Sequence, residues 1–248
     1  MKSFVAIAAM ATSVAARSMT VYNACPFTIW PALFTSNGGR PSHPTGWEAR
    51  QWTKVTFEVG EDWNGRIWGR RNCDFSKPGA LSCLSGGCEG GLQCDVNRGT
   101  GVPPATLGEW NLNGGDSDWY DVSLVDGYNL PMRIDNSGGC PVASCPVDLG
   151  PNCPGDQKGP FDSTGFPVGC RSACNVDALA GHPNDNPNCC SGIHDTPATC
   201  PNSGVRNYGY FKNNCPNAYA YAYDESSGTA LWTCPKNKRV GYTITFCP

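Results

Sequence analysis

Gly65-Arg66-Ile67-Trp68-Gly69-Arg70-Arg71-Asn72-Cys73 carries three arginines interrupted by Ile67, Trp68 and Gly69. Such interruption reads as a strand, not as a basic stripe for phosphate. Outward in both directions, alternating segments recur over residues 19–23, 27–30, 52–59, 106–112, 119–125, 218–223 and 240–246, each expected as a strand. Between them stand turn signals such as Asn37-Gly38-Gly39, Asn64-Gly65, Asn113-Gly114-Gly115 and Asp126-Gly127. That punctuation predicts an all-β fold, an antiparallel β-sandwich. No run sustains a helical period, so only short helices are expected, around residues 176–180 and 206–212.

Composition agrees. The 248 residues include 30 glycines and 21 prolines, only 16% are charged, and eight Trp, nine Tyr and nine Phe supply a core. The N-terminus has the layout of a secretory leader over residues 1–16: Lys2, an apolar run from Phe4 to Ala16, and small residues Val14 and Ala16 placed for cleavage before Arg17. That run is too short to span a bilayer, and no other approaches the required length, so an exported protein with no transmembrane segment is expected. Without Lys2 the chain has 17 basic and 21 acidic residues, a net charge of −4, which argues against nucleic acid as a partner.

Sixteen cysteines, an even set in an exported chain, predict eight disulfides. There is no Cys-x-x-Cys pair, and His43, His182 and His194 sit at no ligand-like spacing, so neither a metal nor another cofactor is expected. Cysteines crowd between Cys140 and Cys215, which implies a loop-rich lobe held by covalent links because its own core is poor. Spacing alone leaves the pairing open.

The quoted segment, together with Gly79-Ala80-Leu81-Ser82-Cys83-Leu84-Ser85-Gly86-Gly87-Cys88 and Gly91-Leu92-Gln93-Cys94, resembles the signature region of the thaumatin-like family. Three further blocks are similar and fall in the same order: Pro103-Pro104-Ala105-Thr106-Leu107-Gly108-Glu109, Asp121-Val122-Ser123-Leu124-Val125-Asp126-Gly127-Tyr128, and Cys215-Pro216-Asn217-Ala218-Tyr219-Ala220-Tyr221. Three departures lie in loops, one of them Leu81 where the family usually has Gly or Phe. Ser85-Gly86-Gly87-Cys88 stands where the family usually has Thr-Gly-Asp-Cys, and residues 180–199 form a longer stretch than usual.

The resemblance implies a sandwich from residues 17–72, 95–143 and 216–248, with two disulfide-rich excursions: a hairpin lobe at 73–94 and a larger lobe with a short helix at 144–215. It implies the pairs Cys25 with Cys247, Cys73 with Cys83, Cys88 with Cys94, Cys140 with Cys234, Cys145 with Cys215, Cys153 with Cys170, Cys174 with Cys189, and Cys190 with Cys200. The first closes a loop so long that the chain-entropy model gives it on the order of 4 to 5 kcal/mol.

By the same resemblance, Arg66, Glu109, Asp121, Asp126 and Asp224 are expected in a cleft between the sandwich and the larger lobe. The alternation agrees for Glu109, which faces away from Trp110 and Leu112. Glycosidic cleavage needs two facing carboxyl groups, one protonated and one ionised. Glu109 is the expected acid and Asp126 its partner; Arg66 would hold one carboxylate ionised, and Asp121 and Asp224 would orient the pair or bind sugar hydroxyls. Taken singly, each has an ordinary use: Asp126 before a turn glycine, Asp121 pairing with Arg66, Asp224 capping a strand. Tyr219, Tyr221 and Tyr223 are expected on one strand face. The implied activity is an extracellular endo-β-1,3-glucanase acting as a monomer on cell-wall glucan. Glucan binding without turnover, with an antifungal effect, and inhibition of a foreign amylase, xylanase or protease are the other activities known among relatives.

Overall fold

The computed structural model describes residues 16–248. The secretory leader expected at residues 1–16 lies outside them, but for Ala16.

Two sheets stack face to face. The first has the order β3-β1-β11-β8-β9, from β1 (Ala16–Asn23), β3 (Thr53–Gly60), β8 (Met132–Asn136), β9 (Ala143–Cys145) and β11 (Tyr242–Phe246). The second runs β10-β7-β6-β4-β2, from β2 (Trp30–Asn37), β4 (Asn64–Cys73), β6 (Leu107–Asn111), β7 (Ser117–Ser123) and β10 (Trp232–Pro235), and β5 (Cys83–Ser85) pairs with β4. Alternation places Met19, Val21, Ile134, Ile244 and Phe246 of one sheet against Ile67, Trp110, Tyr120 and Val122 of the other, all buried. A Cβ on Gly69 would stand 2.5 Å from Leu130 Cδ1 and 3.0 Å from Phe246, so only glycine permits this approach of the sheets.

Two expectations need correction. The sandwich is not wholly antiparallel, because β1 and β11 run parallel, with Asn23 opposite Phe246. Nor does every alternating segment become a strand. Residues 27–29 form no strand: Phe27 lies in a bend and Ile29 makes a single bridge to Ala49, the strand beginning at Trp30. Residues 218–223 form no strand either; Tyr219 bridges Ser123, and the next amide, of Ala220, donates to the Asp224 carboxylate at 2.9 Å instead of to a partner strand. Tyr219 and Tyr221 are buried in this irregular segment, and Tyr223 only partly.

The outer face of the second sheet is divided along β4. Trp68 and Arg70 are fully buried beneath the segment around Cys83–Cys94. The indole of Trp68 donates to Gly86 O at 2.8 Å, and Arg70 donates to Gly91 O at 2.6 Å and Leu92 O at 2.9 Å. Burial lowers the Arg70 pKa to about 10. Two residues earlier on the same face, Arg66 is left uncovered by that lobe.

The larger excursion contains α1 (Ala173–Leu179), capped by the Ser172 hydroxyl accepting from Asn175 N at 3.2 Å, and α2 (Tyr208–Asn214). The sixteen cysteines form eight bridges: 25–247, 73–83, 88–94, 140–234, 145–215, 153–170, 174–189 and 190–200. Among the described residues no helix is long and apolar enough to cross a membrane.

Candidate active site

Strand register assembles three of the expected residues. In the antiparallel pairing of β4, β6 and β7, Arg66 lies opposite Glu109 and Glu109 opposite Asp121, forming one row across the sheet. Directly opposed residues project on one face, with Cβ atoms about 5 Å apart. Their neighbours Ile67, Trp110 and Tyr120 go into the core, which fixes the row outward. Arg66 Nη2 reaches Glu109 Oε1 at 3.2 Å, and both side chains are half-buried.

Asp126 comes from the loop after β7. Gly127 N donates to Leu124 O at 2.9 Å with Gly127 at φ +80°, and Ala105 N donates to Asp126 O at 3.0 Å. A tight glycine turn thus holds the aspartate on rigid neighbours. Arg66, Glu109, Asp121 and Asp126 line one open cleft of about 610 Å³. Its far wall includes Tyr219, Ala222, Glu225 and Leu231.

Asp224 is the exception. Expected among the cleft acids, it is fully buried and absent from the cleft lining. Its carboxylate accepts from Tyr208 OH at 2.8 Å and Ala220 N at 2.9 Å and pairs with Lys212 Nζ at 3.0 Å. Tyr208 and Lys212 tie the carboxylate to α2, and Ala220 ties it to the cleft wall. Asp224 therefore cannot bind a sugar hydroxyl; it fastens the segment that carries Tyr219 and Ala222.

Among the lining residues missed from sequence are Glu225 and Trp119. Glu225 takes the outward place next to Asp224, which a strand reading of 218–223 could not reveal. Trp119 shares the parity of Asp121 on β7, so the alternation contained it.

Electrostatics separate the carboxyl groups. Burial is the main cause raising the Glu109 pKa; Asp126 raises it further, while Arg66 and a hydrogen bond from Ser123 oppose this. Asp126 is also raised by burial, again opposed by Arg66. Asp121 is pushed well above the usual range by burial, then by Glu109 and Glu225. Its Oδ1 atom is buried and has no hydrogen-bond partner. Like charges sharing a desolvated site favour retention of a proton on at least one member. Among the described residues no cluster of His, Cys, Asp or Glu is arranged to hold a metal ion.

A family model described as "Thaumatin family" matches residues 23–248. The chain belongs to the thaumatin family. It is 41% identical to thaumatin-like protein 1 of Pyrus pyrifolia, over 92% of this chain and 90% of that one. It is 39% identical to a glucan endo-1,3-beta-glucosidase of Prunus avium, over 94% and 91%. Among solved structures, a laminaripentaose-producing beta-1,3-glucanase in complex with laminaritetraose aligns with a TM-score of 0.56 and 12% identity, covering 94% of this chain and 99% of that one, a likeness of fold.

Proposed function

We propose that this family member is a secreted endo-β-1,3-glucanase acting on cell-wall glucan, with Glu109 as the acid and Asp126 as its partner. One observation carries the reading: Glu109 and Asp126 line the same open cleft, each with its pKa raised, beside an arginine that tempers both. The relative from Prunus avium named as a glucan endo-1,3-beta-glucosidase supports the substrate class. Eight disulfides suit an oxidising extracellular setting.

In the proposed reaction Glu109 gives its proton to the glycosidic oxygen as the bond from that oxygen to the anomeric carbon breaks. Asp126, ionised, either attacks that carbon or takes a proton from the attacking water. The two raised pKa values move the working window upward from the ordinary carboxylate range, because Asp126 must lose its proton while Glu109 keeps one. The Arg66 guanidinium, in contact with Glu109, stabilises the carboxylate left after donation. Burial and the neighbouring Glu109 raise the Asp121 pKa well above the usual carboxylate range, so Asp121 favours its protonated form, which can donate a hydrogen bond to a sugar or to the pair.

The test is incubation of the purified protein with soluble linear β-1,3-glucan across mildly acid pH. New reducing ends and short oligosaccharides are expected. An uncut polymer throughout overturns the enzymatic reading, and retention of the protein on insoluble glucan without cleavage would replace it by non-catalytic glucan binding.

A further inference from the structure

We infer that the hairpin turn joining β6 to β7 builds a sugar subsite at one end of the cleft, where Trp119 stacks on a pyranose ring and Asn111 donates to one of its hydroxyls. This rests on the glucan reading above and adds to it the residues that grip the chain beside the point of cleavage.

Trp119 is a large aromatic side chain left 38% exposed, and it lines the same cleft as the carboxyl groups. It lies two residues before Asp121 on β7, about 7 Å along the strand. That separation puts its ring beside the acids without blocking them. The indole is also fixed. Its Nε1 donates to Gly114 O at 3.4 Å, and Gly114 packs so closely that a Cβ there would stand 2.2 Å from Trp119 Cδ1 and 2.5 Å from Nε1. An aromatic face held at its edge presents apolar surface with little rotamer freedom left to lose on binding.

Asn111 sits directly opposite Trp119 in the β6–β7 register and lines the cleft with it. Its Oδ1 accepts from Asn113 N at 3.0 Å, which fixes the amide plane and leaves the Nδ2 hydrogens as the donors toward solvent. One turn, Asn113-Gly114-Gly115, therefore orients both side chains. The pairing suits a sugar, which offers C–H groups on a ring face and hydroxyls around its rim.

The experiment measures affinity for a short linear β-1,3-gluco-oligosaccharide by titration calorimetry, with each variant made in a Glu109→Gln background so that the ligand stays intact. Trp119→Ala should weaken binding about tenfold, and Trp119→Phe by less. Gly114→Ala should weaken binding several-fold although Trp119 itself is retained, because the added methyl displaces the ring. Thermal unfolding of each variant, close to that of the parent, checks that the fold is kept. If the parent binds and all three variants bind equally well, the subsite is overturned while the catalytic reading stands. If wild-type protein binds but never cuts, the catalytic reading falls and these affinities still decide the subsite. If it neither binds nor cuts, both fall.

Discussion

Strand β7 carries an aspartate on each face, and the two are treated in opposite ways. Asp118, on the inner face, is fully buried; it accepts from Arg17 Nη2 at 3.1 Å and Tyr242 OH at 3.0 Å. Asp121, on the outer face, shares a cleft with Glu109, Glu225 and Asp126 and has an oxygen without a partner. Asp224 follows the inner pattern although it stands next to the cleft, since Tyr208, Ala220 and Lys212 occupy its carboxylate. A carboxylate whose acceptor sites are filled by the protein is architecture. One left short of donors beside like charges is available for chemistry or for a ligand.

Substitutions on the two faces should separate these roles. The largest effect belongs to the outer face: Glu109→Gln should lower the rate of release of reducing ends from β-1,3-glucan by about a hundred- to ten-thousand-fold, with the unfolding midpoint little changed. Next comes the inner face. Asp118→Ala removes the buried charge partner of Arg17, leaving it the carbonyls of Val240 and Lys236 and Glu61 at 3.8 Å, and should cost about 3 kcal/mol in denaturant unfolding with disulfides intact, while activity per folded molecule is kept. An unchanged midpoint would erase the distinction between the faces.

Asp224→Ala should fall between the two classes. Lys212 loses its partner and the cleft wall loses its fastening, so stability should drop by about 2 to 3 kcal/mol and activity should fall as well, both measured on one sample. The smallest change is Asp121→Asn, read by pH. Because the folded state raises the Asp121 pKa, it binds this proton more tightly than the unfolded chain. The resulting stabilisation is complete below the unfolded pKa and is lost as pH rises through the folded one. The asparagine variant has no such loss, so its melting temperature should gain on wild type between acid and neutral pH. A constant difference across that range would contradict the assignment.

The sandwich was legible because period-two alternation survives wherever a strand has one buried face, as in residues 53–60 and 107–111. It misled at residues 218–223, whose alternating alanines and tyrosines look like a strand. There the Asp224 side chain captures the backbone amide of Ala220 four residues earlier, an interaction invisible to periodicity. The same local event hid the site's far wall, turning Asp224 inward and bringing Glu225 to the cleft. Arg66, Glu109 and Asp121 were nameable one by one, but their alignment depends on the register of three strands, which requires the turns and the core together. Trp119 was available from the parity of Asp121; what kept it hidden was that exposed aromatics announce no purpose until a cavity is seen beside them.

The parallel pairing of β1 with β11 brings both strand ends out on the same side, where Cys25 and Cys247 join with Cα atoms 4.9 Å apart. Between those two residues the backbone is a covalent ring. A protease that nicks any one exposed loop inside it leaves a single molecule, and the fragments part on a denaturing gel only after reduction. One cut is then a survivable injury for the molecule.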